Sequence, residues 1–431
     1  NPHVHEVKKI YQPIKFKATD LKKGKVQISN NYNFTNFENL DFTWRIKGDD
    51  RIISSGRLTS LNLNPQESKE IFFNTSNIVQ RAGVRYFLTV EAKTRNSKPL
   101  VPKKHLVAWE QFELPLYVPI SKKETNAQFN LVSQENDRLI EIKSNDVHIV
   151  FNKETGFLES YEVGLVKYLK QPIVSNFWRA PNDNDLGNGM PKRTGIWKDA
   201  GKRMQLKDIA VSEIKNSVQV STIHFDSLSS TTISTQYKIY NEGAIRLDRK
   251  IEILDNTLPE IPRIGVKLSM LGSFDNVTWF GRGPHESYWD RKQSAAIGVY
   301  SGTVWDQTYQ YVRPQETGNK TDVFWMAVFN EKRNGLMAVG LPSFDGSVHR
   351  YPYDDLDYYP GAQRHGKLDV VPKDHTDWLI DLKQMGVGGD NSWGAKPMNK
   401  YTIYPGVYNQ SMLLIPFTSK ADFTKLSKKR F

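Results

Sequence analysis

The 431-residue chain contains no cysteine. Disulfides, thiolate nucleophiles and cysteine-ligated zinc are excluded, while the compartment stays open because a secreted protein can do without disulfides. No apolar run approaches the ~18 residues of a membrane-spanning helix, so a soluble protein with no membrane partner is expected. The opening residues, Asn1-Pro2-His3-Val4-His5-Glu6-Val7-Lys8-Lys9, lack both an initiator methionine and the basic-then-apolar layout of a signal peptide. They read as the start of a piece of something longer, and leave cytoplasmic and periplasmic locations equally open. Catalytic signatures are missing too. There is no HExxH, no GxSxG and no GxxxxGK[ST], and His3 with His5 lie in what reads as a mobile terminus.

What is present points to β structure. Leu40, Phe42, Trp44 and Ile46 alternate with Asp41, Thr43, Arg45 and Lys47, which turns one face of a strand to a core and the other to water. Val26 with Ile28, and Tyr86, Leu88, Val90 with Ala92, repeat the pattern. Strands at this spacing predict an immunoglobulin-like β-sandwich over residues 1–120, closing near Pro115 to Pro119. Ser121 to Asn126 reads as a polar linker. From 126 to 431 the strands lengthen, with hairpins at Ile233–Ile239 into Ile245–Ile253 and at Val147–Phe151 into Phe157 onward. Only Met190 to Arg203 reads as helical. The fold class is therefore all-β, with a second, large antiparallel two-layer domain. The net charge of +12 comes from scattered lysines, so it describes a solvated basic surface and no nucleic-acid partner.

Four loop-like clusters interrupt the strands. Asn176 to Gly187 carries Arg179, Asn182, Asp183 and Asp185. Its alternating acids resemble a calcium loop, but the position twelve from Asp183 is Thr194 where that loop needs glutamate. A tight turn with Arg179 paired to one of the acids is the favoured reading. Gly281 to Arg291 carries His285 and Glu286, which as neighbours on an extended backbone point to opposite faces. Tyr311 to Gly318 carries Arg313 and Glu316. Two readings stand for Glu286 and Glu316: facing each other from adjacent strands, or, as favoured, buried ion pairing with Arg282 or Arg313. The fourth cluster, Met385 to Gly394, has three glycines in four residues and ends on Trp393. Glycine opens backbone angles closed to other residues, so such a loop is expected to set its ring in an unusual position, as a plate for a ligand or a plug for a core. A ring half-covered by a sugar contributes roughly 2–3 kcal/mol, taking half of ~150–250 Å² at ~25 cal/mol/Å².

These four motifs, in this order over about 220 residues, closely resemble the C-terminal domain of glycoside hydrolase family 2 β-galactosidases. Glu6 to Pro13 is similar to the segment that leaves that family's catalytic barrel, and His105 to Gln111 to the last strand of the immunoglobulin-like domain that follows. The resemblance implies a C-terminal portion: residues 1–12 as the barrel exit, the second immunoglobulin-like domain, then a β-supersandwich of galactose-mutarotase type. It implies that the glutamate nucleophile and acid/base of retaining hydrolysis lie in a barrel absent from this chain, so that the chain alone is inactive. It gives Trp393 the role of stacking on the galactoside, with Asp390 and Asn391 bracing the loop. For Arg179, Asn182, Asp183, Asp185, His285, Glu286, Arg313 and Glu316 it marks membership without a role. The family's magnesium and sodium fall mainly in the missing domains, so no cofactor or metal is assigned here. The partners implied are a β-galactoside and the catalytic barrel, with self-association open. Two other functions compete: an independent carbohydrate-binding module, and a mutarotase-like epimerase drawing its acid from His285, His349, His365 or His375.

Overall fold

The computed structural model describes residues 1–59, 61–121, 130–391 and 394–431. Strands take up 47% of the chain and helices 11%, and the strand pairings are antiparallel. Two compact units form, one mainly of Asn1–Lys123 and the other of Glu124–Ala295 with Tyr300–Lys429.

In the first unit a three-stranded sheet orders Ile14–Asp20, Lys25–Asn30 and Ser68–Phe72. A four-stranded sheet orders Arg51–Leu58, Leu40–Gly48, Tyr86–Thr94 and Leu106–Leu114. Val26, Ile28, Phe42, Ile46, Leu88 and Val90 meet in one core between them, each buried aliphatic contributing about 1.5–3 kcal/mol. Tyr86–Thr94 departs from simple alternation, because Phe87, Thr89 and Glu91 are buried as well. Leu114 ends the last strand just before Pro115. Of the expected linker only Ser121 is among the described residues, and Lys122 to Asn126 lie outside them.

The N-terminus is not the mobile tail expected from its sequence. His3–Ile10 is a helix that buries Glu6 and Lys9. The Lys9 ammonium donates to Glu110 at 3.0 Å and to the Trp109 carbonyl, and lies 4.1 Å from the centre of the Trp109 ring. Burial drives the pKa of Lys9 down, against the opposing pull of Glu110.

The second unit stacks a five-stranded sheet, running from Val132–Glu135 to Val166–Lys167, with a twelve-stranded one. Ile142, Ile149, Phe151, Leu247, Leu268, Trp378 and Leu414 fill the core between them. Both long hairpins form as their alternation indicates, with Ile239 opposite Ile245 across the turn and Val150 opposite Ser160. Met190 to Arg203 is not one helix. Gly189 in the left-handed region opens a single turn, Met190–Arg193, which Thr194 ends, and Gly195–Trp197 and Ala200–Arg203 are separate short turns. With Ile196 half-buried and Trp197 fully buried, tertiary packing holds these turns together where helix propensity is too weak.

Register places the clusters. Gln171–Asn176, Arg263–Met270 and Thr376–Gln384 are adjacent strands, with Asn176 opposite Gly265 and Arg263 opposite Gln384. The segments that begin at Phe177 and Met385 therefore leave the same end of the sheet, on either side of Arg263. Nearby in sequence to another edge, Phe280 pairs with Trp325, and the Ser287 amide donates to the Asn319 carbonyl. The second and third clusters are joined by that pairing.

Candidate functional site

The first and second clusters meet on the backbone of Met385 to Gly388 in the fourth, and the third joins them through Asp183 and Glu286. Phe177 and Trp178 are held in an apolar cluster with Trp197 and Met385, which fixes the chain just before Arg179. Asn182 caps the helix Asp183–Gly187 in a reciprocal box: its side chain accepts from the Asp185 amide at 2.8 Å, and Asp185 accepts from the Asn182 amide at 3.1 Å. Asp185 also receives Arg179 at two oxygens, 2.7 and 3.2 Å, with both side chains buried. Burial opposes the guanidinium charge, and the adjoining Asp185 carboxylate outweighs it, so the pKa of Arg179 stands above its ordinary value.

Thus oriented, Arg179 donates to the Met385 carbonyl and, at 2.9 Å, to the Gly386 carbonyl. The side-chain amides of Asn182 and Asn184 donate to the Val387 carbonyl at 3.0 and 3.2 Å. From the other side Asp290 accepts the Val387 and Gly388 amides at 3.1 and 2.8 Å. Three consecutive carbonyls and two consecutive amides are thus satisfied by side chains from two distant segments, which holds the loop against rearrangement.

The glycines serve a purpose other than the one expected. Gly386, Gly388 and Gly389 do not have positive φ; the left-handed value belongs to Gly394, at φ 119°. A side chain at Gly386 would place its Cβ 2.7 Å from the Asp290 carboxylate, and one at Gly389 would strike the Ala395 carbonyl. Close approach, and not backbone angle, is what demands glycine at these two positions.

Asp183 and Asp185 are not arranged as cation ligands. Asp183 accepts from Arg313 and, at 3.2 Å, from Gln315, while Asp185 is occupied by Arg179. A guanidinium beside each carboxylate does not fit a bound calcium, magnesium or sodium ion. Glu286 and Glu316 are buried ion-pair members as expected in kind, but the partners differ from Arg282 and Arg313. Glu286 accepts from Arg291 and the Tyr311 hydroxyl at 2.6 Å each, from Gly318 at 2.9 Å and from Thr317 at 3.1 Å. Burial works against its charge, yet Arg291 and these donors hold its pKa below the usual carboxylate range. Glu316 pairs with Arg263 at 3.1 Å and accepts from Tyr353. Arg282 instead binds Asp322. His285 turns to Ser294 at 2.9 Å.

Asp390 is exposed, and Asn391 accepts the Ala395 amide at 3.2 Å. Trp393 lies outside the described residues. Asp290, Asn184 and Arg291 stand inside the quoted motifs, yet nothing local marks them: Asp290 meets its amides 97 and 98 residues away.

The family described as beta galactosidase small chain matches residues 143–414, and a model described as beta-galactosidase, domain 4, matches 26–115. A beta-galactosidase of Priestia megaterium is 32% identical over 405 residues, which is 94% of this chain and 38% of that protein. One of Vibrio cholerae is 29% identical over 427 residues, 96% of this chain and 40% of its own. The chain therefore spans about two fifths of the length of these curated relatives. Among solved structures, a galactose 1-epimerase from Lactobacillus acidophilus covers 67% of this chain and 98% of its own at 9% identity and a TM-score of 0.36.

Proposed function

From the premise that the chain belongs to the beta-galactosidase small-chain family, we propose that it is the non-catalytic C-terminal region of a retaining β-galactosidase acting on terminal β-galactose. Its task is to hold the loop bearing Trp393 at a sugar site whose catalytic groups lie elsewhere in the protein. The observation that carries this reading is the cradle around Met385 to Gly388. Arg179, Asn182, Asn184 and Asp290 spend their polar atoms on fixing a loop, and a stacking ring at the end of that loop needs such a mount to act on a ligand without an ordering cost.

The carboxylates support the same reading. Retaining hydrolysis needs two carboxyl groups about 5–5.5 Å apart across the scissile bond, one of them able to give up and regain a proton. Glu286 and Glu316 are buried, and each is engaged by a guanidinium and a tyrosine hydroxyl. The epimerase alternative loses one of its four candidate acids. Burial, reinforced by Arg263, pushes His349 down to about 3, which leaves it neutral and unable to act as an acid at ordinary pH. The N-terminal helix favours a place within a larger protein, since it exposes Val4, Val7, Ile10 and Tyr11 while burying Glu6 and Lys9. Any magnesium or sodium belongs, on this reading, to the rest of the protein.

The test is hydrolysis of nitrophenyl β-D-galactoside by the 431-residue chain and by the longer protein containing it. Turnover only by the longer protein is expected. Turnover by the chain alone at a comparable rate overturns the proposal.

A further inference from the structure

A pocket of about 170 Å³ opens beside the segment that braces the loop, lined by residues of Val174–Trp178, of the turn at Ala200–Arg203, and of Tyr353–Tyr359. We propose that this pocket is a second ligand site, separate from the Trp393 loop, that takes one neutral pyranose ring. Size sets the first limit. Drug-sized ligands fill roughly 300–1,000 Å³, so this pocket holds a single ring and no longer glycan.

Charge sets the second. Lys198, Lys202 and Lys267 line the pocket together with Asp199, Asp354 and Asp357, so the lining charges cancel. Each lysine has a carboxylate nearby: Lys198 pairs with Asp357, Lys202 lies 3.2 Å from Asp199 and 3.6 Å from Asp354, and Lys267 lies 3.8 Å from Asp377. Neither a phosphate nor a metal cation meets an uncompensated field. A ligand with many hydroxyls meets donors and acceptors side by side, and vicinal hydroxyls bridge such pairs without disturbing the charge balance.

Aromatic rings form part of the remaining wall, beside Val174, Ser175 and Gly201. Trp178 is fixed by its indole N–H, which donates to Asp357 at 3.2 Å, and Tyr353 is buried. Tyr359 stands at the rim with 45% of its surface exposed, kept in place by Arg364, 5.3 Å from the ring centre, and by its hydroxyl on the Asp354 carbonyl. An apolar sugar face and a half-exposed ring suit each other. The side-chain oxygen of Asn176 accepts from the Trp178 amide at 3.2 Å, which ties the strand end to the aromatic wall.

Saturation-transfer NMR of the 431-residue chain with D-galactose, D-glucose and inorganic phosphate tests this. Binding of at least one hexose is expected. Tyr359→Ala should weaken it by about tenfold or more. The same measurements on the Trp393→Ala chain remove any contribution from that residue, so the outcome is independent of the role proposed for it. Absence of hexose binding by the Trp393→Ala chain, hexose binding indifferent to Tyr359→Ala, or a preference for phosphate overturns the proposal.

Discussion

Asp290→Asn isolates the cradle from the rest of the fold. The carboxylate accepts two consecutive amides, Val387 at 3.1 Å and Gly388 at 2.8 Å. The amide replacement has the same shape but one acceptor oxygen, so one of the two N–H groups then faces an NH₂ donor. Losing a hydrogen bond to a charged acceptor costs about 1.5–3 kcal/mol. Because the lost bond lies in a loop, the cost falls on local opening and not on the global transition. At about 1.4 kcal/mol per factor of ten, amide hydrogen exchange at Val387 and Gly388 should accelerate roughly ten- to hundredfold, while amides of the Gly335–His349 strand keep their protection. Native-state exchange read by NMR measures both at once. Unchanged exchange at Val387 and Gly388 refutes the claim that Asp290 holds the loop, and a uniform acceleration across the sheet refutes the claim that it acts locally.

Removing Arg179 strands a buried carboxylate: Arg179→Met should destabilise the second unit by about 3–5 kcal/mol in urea denaturation. Because the pKa of Glu286 is depressed on folding, its stabilisation is present above the unfolded value of about 4.3 and disappears as pH falls through the folded one. The stability gap between the natural chain and Glu286→Gln should therefore close below about pH 4, as acid titration of the unfolding midpoint will show. Val4→Lys with Val7→Lys, at positions 63% and 53% exposed, should leave the stability of the chain within about 0.5 kcal/mol and lower that of the longer protein. Thermal unfolding of both forms distinguishes the two effects.

How much was legible in the sequence follows from range. Alternation is local, so Leu40–Gly48, the Ile239–Ile245 hairpin and the all-β class could be read directly. Ion-pair partners are not local. Glu316 finds Arg263 from 53 residues away because register brings that strand end beneath it, and the nearer Arg313 is drawn off by Asp183. The glycines were visible, but their reason was not, since the obstacle at Gly386 is a carboxylate from another cluster. The N-terminal helix escaped notice because it has no side-chain cap and buries charge in place of apolar groups, the reverse of the usual amphipathic signal. Arg179 pairing with a nearby acid was readable because Asp185 is only six residues on, within one capped turn.

The central claim is that this chain mounts a stacking residue for a sugar site completed elsewhere. The most direct measurement is galactoside affinity of the longer protein carrying Trp393→Ala, taken as KM for nitrophenyl β-D-galactoside and as inhibition by D-galactose. Loss of a half-covered ring, worth roughly 2–3 kcal/mol, predicts affinity weakened by about 30- to 150-fold with the fold intact. Unchanged KM and unchanged inhibition by galactose would contradict the account.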